Sequence, residues 1–273
     1  MTTINLFQPS DDFKIFKFPG GECHIKFSAA FQPAEKVKIN ARLNSSDDII
    51  ILYLTADALR RMEVKQIELF IPYLPYARQD RVMIPGEPLS IKVMAGLLNV
   101  LNFDKITIYD VHSDISTALL NNVVNISNLE MVKHFISELN LTDYFLVSPD
   151  LGAYKKISKL AQGINYQNEI VTGLKIRNLA TGEIIKTSID KADLAEKHCL
   201  IVDDICDGGR TFIELAAILK EHNAGDLFLI VSHGIFSHDA LVRLKAAGFK
   251  HVCSSNSISD LMEDGFYKKY NLF

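Results

Sequence analysis

At 273 residues, 48% of them hydrophobic, the chain is long enough for one large domain or two ordinary ones with a full core. A formal net charge of -4, with basic residues scattered rather than striped, leaves no electrostatic footprint for nucleic acid. The four cysteines lack the paired short spacing of structural zinc, no basic-then-apolar leader opens the chain, and the longest apolar run, Ile49 to Leu54, is too short to span a bilayer. A cytoplasmic protein with reduced thiols and neither nucleic-acid nor membrane partners is expected.

In the first half, Phe13 to Phe18 and His24 to Ser28 alternate apolar and polar residues around Pro19-Gly20-Gly21, which predicts two strands joined by a tight turn. Val37 to Leu43 alternates again, extending this to a small meander. Ile49 to Leu54 reads as helix, with Ser46 as N-cap, Asp47 and Asp48 in the first turn, and Arg60 and Arg61 at the C-terminal end. Ile67 to Ile71 is a strand. Ser90 to Leu101 is a helix with Ile91, Met94, Leu97, Leu98 and Leu101 inward. Lys105 to Asp110 is a strand with His112 just past its carboxyl end, where ligands of parallel sheets gather.

In the second half, Asn128 caps a helix to about Leu139, and the domain boundary falls just before it, dividing the chain into 1–126 and 127–273. Tyr144 to Val147 is a strand followed by Ser148-Pro149-Asp150-Leu151-Gly152, where Asp150 also suits a helix N-cap. Glu169 to Ile176 and Asn178 to Glu183 read as two strands of a mobile hairpin with Thr181-Gly182 at the tip. Cys199 to Val202 is an apolar run of the kind buried on both faces of a parallel sheet, and from Phe212 the period turns helical. Asp226 to Val231, Ala240 to Ala247 and His251 to Ser254 add a strand, a helix and a last clear strand. The alternation predicts an α/β fold with largely parallel sheets.

Between Val202 and Phe212 lies Asp203-Asp204-Ile205-Cys206-Asp207-Gly208-Gly209-Arg210-Thr211. The glycines allow a tight turn, and the amides that open the following helix make an anion site. Carboxylates beside a phosphate loop call for hydroxyls or a metal as well, which a sugar phosphate supplies. The plainer reading makes Thr211 an N-cap with Glu214 completing a capping box.

Val202 to Thr211 resembles the phosphoribosyl-diphosphate (PRPP) binding motif of type I phosphoribosyltransferases. Ile71 to Arg81, Ile-Pro-Tyr-Leu-Pro-Tyr-Ala-Arg-Gln-Asp-Arg, closely resembles a signature of the ribose-phosphate diphosphokinase (PRPP synthetase) family, and Gly86 to Ser90 continues the likeness. Phe18 to Glu22 resembles, with Gly20 in place of Asp or Asn, a family segment that enters a neighbouring subunit's ATP site. Asp110-Val111-His112, Ser148 to Gly152, Lys175-x-Arg177 and Asn256-Ser257-Ile258 match further family motifs, so the likeness runs from about residue 13 to 258.

The resemblance implies two phosphoribosyltransferase-like domains, each a mainly parallel sheet flanked by helices. It implies transfer of diphosphate from MgATP to the anomeric hydroxyl of ribose 5-phosphate, giving PRPP and AMP for nucleotide or NAD biosynthesis. Lys175 and Arg177 would be catalytic. Phe18, Gly20, Gly21, Glu22, Arg78, Gln79 and His112 would bind ATP. Asp203, Asp204, Asp207, Gly208, Gly209, Arg210 and Thr211, with Arg177, would bind ribose 5-phosphate, and His112 and Asp150 would hold Mg2+. Because Phe18 and Glu22 would serve another subunit, a homo-oligomer is implied, dimer-based and up to a hexamer. Arg210 replaces the family's usual glycine and is expected to fork onto the phosphate. A non-catalytic synthetase-like regulatory subunit, or a transferase consuming PRPP, are the alternatives; the Tyr-Ala-Arg-Gln-Asp-Arg segment speaks against the latter.

Overall fold

The structure, a computed structural model, describes residues 1–177 and 184–273, with backbone alone at 175–177 and 184–187. It falls into two compact units, Met1–Ser127 with Phe273, and Asn128–Leu272.

The first unit contains, in order, β1 (Thr2–Asn5), β2 (Phe13–Lys17), β3 (Cys23–Phe27), β4 (Lys36–Asn40), α1 (Ser46–Arg61), β5 (Gln66–Phe70), α2 (Ser90–Val100), β6 (Lys105–Tyr109), α3 (Asp114–Leu119) and β7 (Val123–Ile126). Its five-stranded sheet has the order β1-β4-β5-β6-β7, every pair parallel. Val37, Ile39, Ile67, Leu69, Ile106 and Ile108 are buried along its middle strands at every second position, the alternation that puts one face of a strand against the core. The meander expected at the start does not form. β2 and β3 pair only with each other, while β4 joins the main sheet between β1 and β5, where burial of Val37 and Ile39 outweighs a local turn.

The N-cap of α1 is Ser45 rather than Ser46. Its hydroxyl accepts from Asp48 N at 3.3 Å, and the Asp48 carboxylate accepts Ser45 N at 2.7 Å, closing a capping box. On α2, Ile91, Met94 and Leu98 are buried but Leu97 is 41% exposed, so the inward stripe is narrower than its apolar residues suggest.

The second unit contains α4 (Leu129–Glu138), β8 (Tyr144–Ser148), α5 (Tyr154–Gly163), β9 (Ile170–Arg177), β10 (Ile184–Ile189), β11 (His198–Cys206), α6 (Arg210–Glu221), β12 (Leu227–Gly234), α7 (Ala240–Ala246), β13 (Phe249–Ser255) and β14 (Tyr267–Tyr270). The seven-stranded sheet runs β10-β9-β8-β11-β12-β13-β14, parallel except for the β9/β10 pair. The expected strand over 178–183 lies outside the described residues; the strand that returns against β9 is β10. Asn128 stands at the N-cap of α4 without capping through its side chain, because its Nδ2 donates to Ser232 Oγ at 3.1 Å. Among the described residues no helix is long and apolar enough to cross a membrane.

Candidate active site

β11 does not stop at Val202. It continues through Asp203 and Asp204 to Cys206, paired with β12 as Asp203↔Val231, Ile205↔His233 and Cys206↔Gly234. The acidic residues expected in a loop therefore occupy the last pleats of a central strand. Asp204 is 7% exposed, and its amide donates to Asp203 Oδ1 at 2.9 Å. Burial, and then the charge and hydrogen bonding of Asp204, hold the Asp203 carboxyl well above the usual range, while Lys156 on α5 opposes the rise. Two carboxylates so placed favour a hydroxyl donor or a cation between them. The Cys206 thiol beside them is pushed up to about 12 by burial and by Asp203 and Asp207, which makes it inert.

The turn Asp207-Gly208-Gly209 leads directly into α6. Gly209, at φ 75, is the N-cap, a left-handed conformation suited to glycine. Thr211 thus lies inside the helix, and Glu214 closes no capping box with it; Glu214 Oε1 instead accepts from Arg210 Nε at 2.7 Å. The first amides of α6 have no partner within the helix and carry its positive dipole end, as an anion site needs. Ser237 Oγ donates to Asp207 Oδ1 at 2.6 Å, and Arg243 Nη1 donates to the Gly208 carbonyl at 3.1 Å.

On the neighbouring strand β8, buried Ser148 donates its hydroxyl to the Asp150 carbonyl at 2.8 Å, and Asp150 Oδ1 accepts from Ala153 N at 3.0 Å. Ala153 holds the N-cap position of α5, so Asp150 braces the turn before the helix rather than capping it. β9 pairs Lys175 with Thr187 and Arg177 with Ile184 through the backbone. The side chains of Lys175 and Arg177, and Thr181-Gly182, lie outside what is described. Gly173, two residues before Lys175, packs against the Ser148-Pro149-Asp150 turn: a β-carbon there would stand 2.5 Å from Pro149 O. Sequence reading missed this glycine. A glycine inside a strand pattern was its only signal.

In the first unit, Arg78, Gln79, Asp80, Arg81, Ser90 and His112 line one open cavity of about 620 Å³, within the range of small-molecule sites. Gln79 O accepts from Ile91 N at 3.4 Å, tying this turn to the start of α2, and buried Asp110 ends β6 in a left-handed turn (φ 42) two residues before His112. The carboxylate of Asp80 is 8% exposed. Burial alone would raise its pKa, but hydrogen bonds from Ser113 and Arg81 and the charges of Arg81 and His112 outweigh that and lower it. Glu87 Oε2 accepts from Met83 N at 2.9 Å and Ile84 N at 3.3 Å, shaping the cavity's outer loop.

Phe18, Gly20, Gly21 and Glu22 do not line that cavity. They form the tip of the β2/β3 hairpin, where Gly21 (φ 98) donates to Phe18 O at 2.9 Å and Phe18 N to Glu22 O at 2.9 Å. Exposed Phe16 and Phe18 make a ring cluster with half-buried His24, with centroids 5.2 to 5.6 Å apart.

Residues 5–101 match the N-terminal domain of ribose phosphate pyrophosphokinase, and residues 185–267 match the phosphoribosyl synthetase-associated domain. Ribose-phosphate pyrophosphokinase of Pyrococcus abyssi is 29% identical over 238 residues, covering 86% of this chain and 80% of that protein. The enzyme of Mycoplasma pneumoniae is 28% identical over 236 residues, covering 85% and 70%. The chain is thus similar to ribose-phosphate pyrophosphokinases over most of its length. The crystal structure of phosphoribosylpyrophosphate synthetase from Mycobacterium smegmatis superposes with a TM-score of 0.83 at 22% identity, over 100% of this chain and 95% of that one, which shows the α/β fold.

Against the pyrophosphokinase pattern, two departures have a structural context. At Gly20 a β-carbon would stand 2.6 Å from Glu22 Oε2, so the Glu22 carboxylate takes the space that a side chain at position 20 would use. Arg210, 81% exposed along its side chain, is held by Glu214 and not by the Asp207 turn. For magnesium, no three His, Cys, Asp or Glu side chains cluster among the described residues. The oxygen donors of Asp150 suit an ion that one or two carboxylates hold together with substrate phosphates.

Proposed function

We propose that the protein is a ribose-phosphate diphosphokinase, transferring the β,γ-diphosphoryl group of ATP to ribose 5-phosphate. The reading rests on how β11 ends: a carboxylate pair, half-buried Asp203 and buried Asp204, followed at once by an amide-rich turn opening α6. Carboxylates accept hydrogen bonds from ribose hydroxyls, and helix-opening amides with two glycines accept the 5-phosphate. Asp207, Gly208, Gly209, Arg210 and Thr211 would therefore hold the phosphate, and Asp203 with Asp204 the sugar.

ATP would bind in the cavity of the first unit. Arg78 would stack on the base or fork onto phosphate oxygens, and Gln79 would read the purine edge. Asp80, kept ionised by Ser113 and Arg81, holds its surroundings fixed. Asp150 would offer Mg2+ a carboxylate in the second unit and His112 a ring nitrogen at the cavity of the first; Mg2+ would supply neutralisation of charge on phosphate oxygens.

In the reaction the anomeric oxygen attacks the β-phosphorus, the bond from that phosphorus to the α-phosphate oxygen breaks, AMP leaves, and the hydroxyl proton is released. Phosphoryl transfer asks for position and charge stabilisation more than covalent help. Lys175 and Arg177 would supply the cations, carried on a strand whose path Gly173 sets beside Asp150. The exposed Phe16 and Phe18 rings, clustered with His24, support a homo-oligomer in which this tip serves a second copy. Phosphorus NMR of the protein with MgATP and ribose 5-phosphate tests the reaction. PRPP and AMP resonances appearing together support it; an unchanged spectrum contradicts it.

A further inference from the structure

One short segment grips each residue of the Asp207-Gly208-Gly209 turn. Ser237 Oγ donates to Asp207 Oδ1 at 2.6 Å, Arg243 Nη1 donates to Gly208 O at 3.1 Å, and buried Leu244 lies so close to Gly209 that a β-carbon there would stand 3.4 Å from its Cγ. Two adjacent glycines are the most costly residues to order, and nothing in their own side chains holds them. The grip therefore has to come from outside the turn, and it comes from the approach to α7 and from α7 itself.

The contact at Gly208 has a directional consequence. A trans peptide is planar, with its C=O and N–H pointing opposite ways, and the carbonyl of Gly208 shares its plane with the amide of Gly209. Anchoring the oxygen on one side fixes the direction of the amide on the other. A charged donor on the oxygen also polarises the peptide, making that N–H a stronger donor. Arg243 is exposed on α7 and does this through the turn, from outside it.

We propose that Arg243 is a positioning residue for the 5-phosphate, holding the Gly208 carbonyl so that the Gly209 amide is presented to a phosphate monoester. This rests on the ribose 5-phosphate reading above. An ordered amide costs the bound complex less than one that must be fixed on binding, so the effect falls on affinity for that one substrate.

The test is calorimetric titration with ribose 5-phosphate, together with KM for both substrates and melting curves, on wild type, Arg243→Ala, Arg243→Lys and Arg243→Gln. Arg243→Ala should raise Kd and KM for ribose 5-phosphate about tenfold, with KM for ATP within about twofold and melting unchanged. Arg243→Gln, which keeps a donor without the charge, should recover part of the loss, and Arg243→Lys most of it. Unchanged affinity in Arg243→Ala, or an equal rise in both KM values, would overturn the proposal. So would Arg243→Gln behaving like Arg243→Ala while Arg243→Lys matches wild type, because charge alone would then be acting. Wild-type protein that binds no ribose 5-phosphate would overturn the functional reading itself and this inference with it; the wild-type titration separates that outcome from the others.

Discussion

Gly173 lies against the carbonyl of Pro149, so close that a β-carbon on the glycine would stand 2.5 Å from that oxygen. Pro149 precedes Asp150, and Gly173 precedes by two residues Lys175, so the contact sets how β9 leaves the Asp150 turn. A backbone carbonyl cannot give way as a flexible side chain would. Gly173→Ala should therefore destabilise the second unit by about 1–3 kcal/mol and lower turnover more than tenfold, since displacement of about 1 Å at a site is costly. Thermal melts and kcat measured side by side check this; native values of both would contradict it.

Asp203 gives a pH prediction. Its folded pKa is raised above the ordinary 3.8, first by burial and then by Asp204. The folded state therefore holds this proton more tightly than the unfolded state. The stability it contributes is complete below 3.8 and is lost as pH rises through the folded value. Asp203→Asn, neutral throughout, should melt at or above the wild-type temperature at neutral pH, with a flatter pH dependence, while losing activity. A variant that melts below wild type at every pH would show that this carboxylate is not under electrostatic load.

Arg210 and Glu214 form an exposed pair one helical turn apart, Nε to Oε1 at 2.7 Å. A cation on the first turn of α6 opposes the helix dipole, and Glu214 offsets it. If Arg210 serves the phosphate, Arg210→Gly should raise KM for ribose 5-phosphate about tenfold, and Glu214→Gln, which frees the guanidinium, should lower it about threefold. Melting should not move. Steady-state kinetics decide it, and an unchanged KM in Arg210→Gly would exclude the arginine from the phosphate site.

Asp80 behaves oppositely to Asp203. Burial raises its pKa, but Ser113, Arg81 and His112 bring the net value below 3.8. Its contribution to stability is present above 3.8 and is lost as pH falls through the lower folded value. Asp80→Asn should lower the urea midpoint at pH about 7, with the gap closing in acid, and should raise KM for ATP about tenfold while leaving that for ribose 5-phosphate alone. A rise confined to ribose 5-phosphate would place Asp80 in the wrong site.

Burial explains what could be read in the chain. Cys199 to Val202 and Tyr144 to Val147 stand out because both faces of a central parallel strand are covered, leaving unbroken apolar runs. The continuation of β11 through Asp203 to Cys206 was not legible, since carboxylates read as loop until a neighbouring strand is known to pair with them. For the same reason β14, with Lys268 and Lys269 at a sheet edge, and the short β1 and β7 carry no pattern of their own. Ser45 against Ser46, and Gly209 against Thr211, differ by a residue or two because a cap is defined by backbone geometry, not composition.

The site divides in the same way. Arg78, Gln79 and His112 each carry a family motif, yet their meeting in one cavity depends on β5 and β6 being neighbours. Gly173 and Arg243 act through backbone atoms distant in sequence, so neither residue type announces its role.

AMP formation from MgATP, measured with and without ribose 5-phosphate in wild type and in Lys175→Ala, tests the central claim most directly. A diphosphokinase using Lys175 releases AMP only when ribose 5-phosphate is present, with PRPP in equal amount, and Lys175→Ala loses at least about a hundredfold in kcat. AMP release indifferent to ribose 5-phosphate or to Lys175, or no AMP from a protein that still binds both substrates, would contradict it.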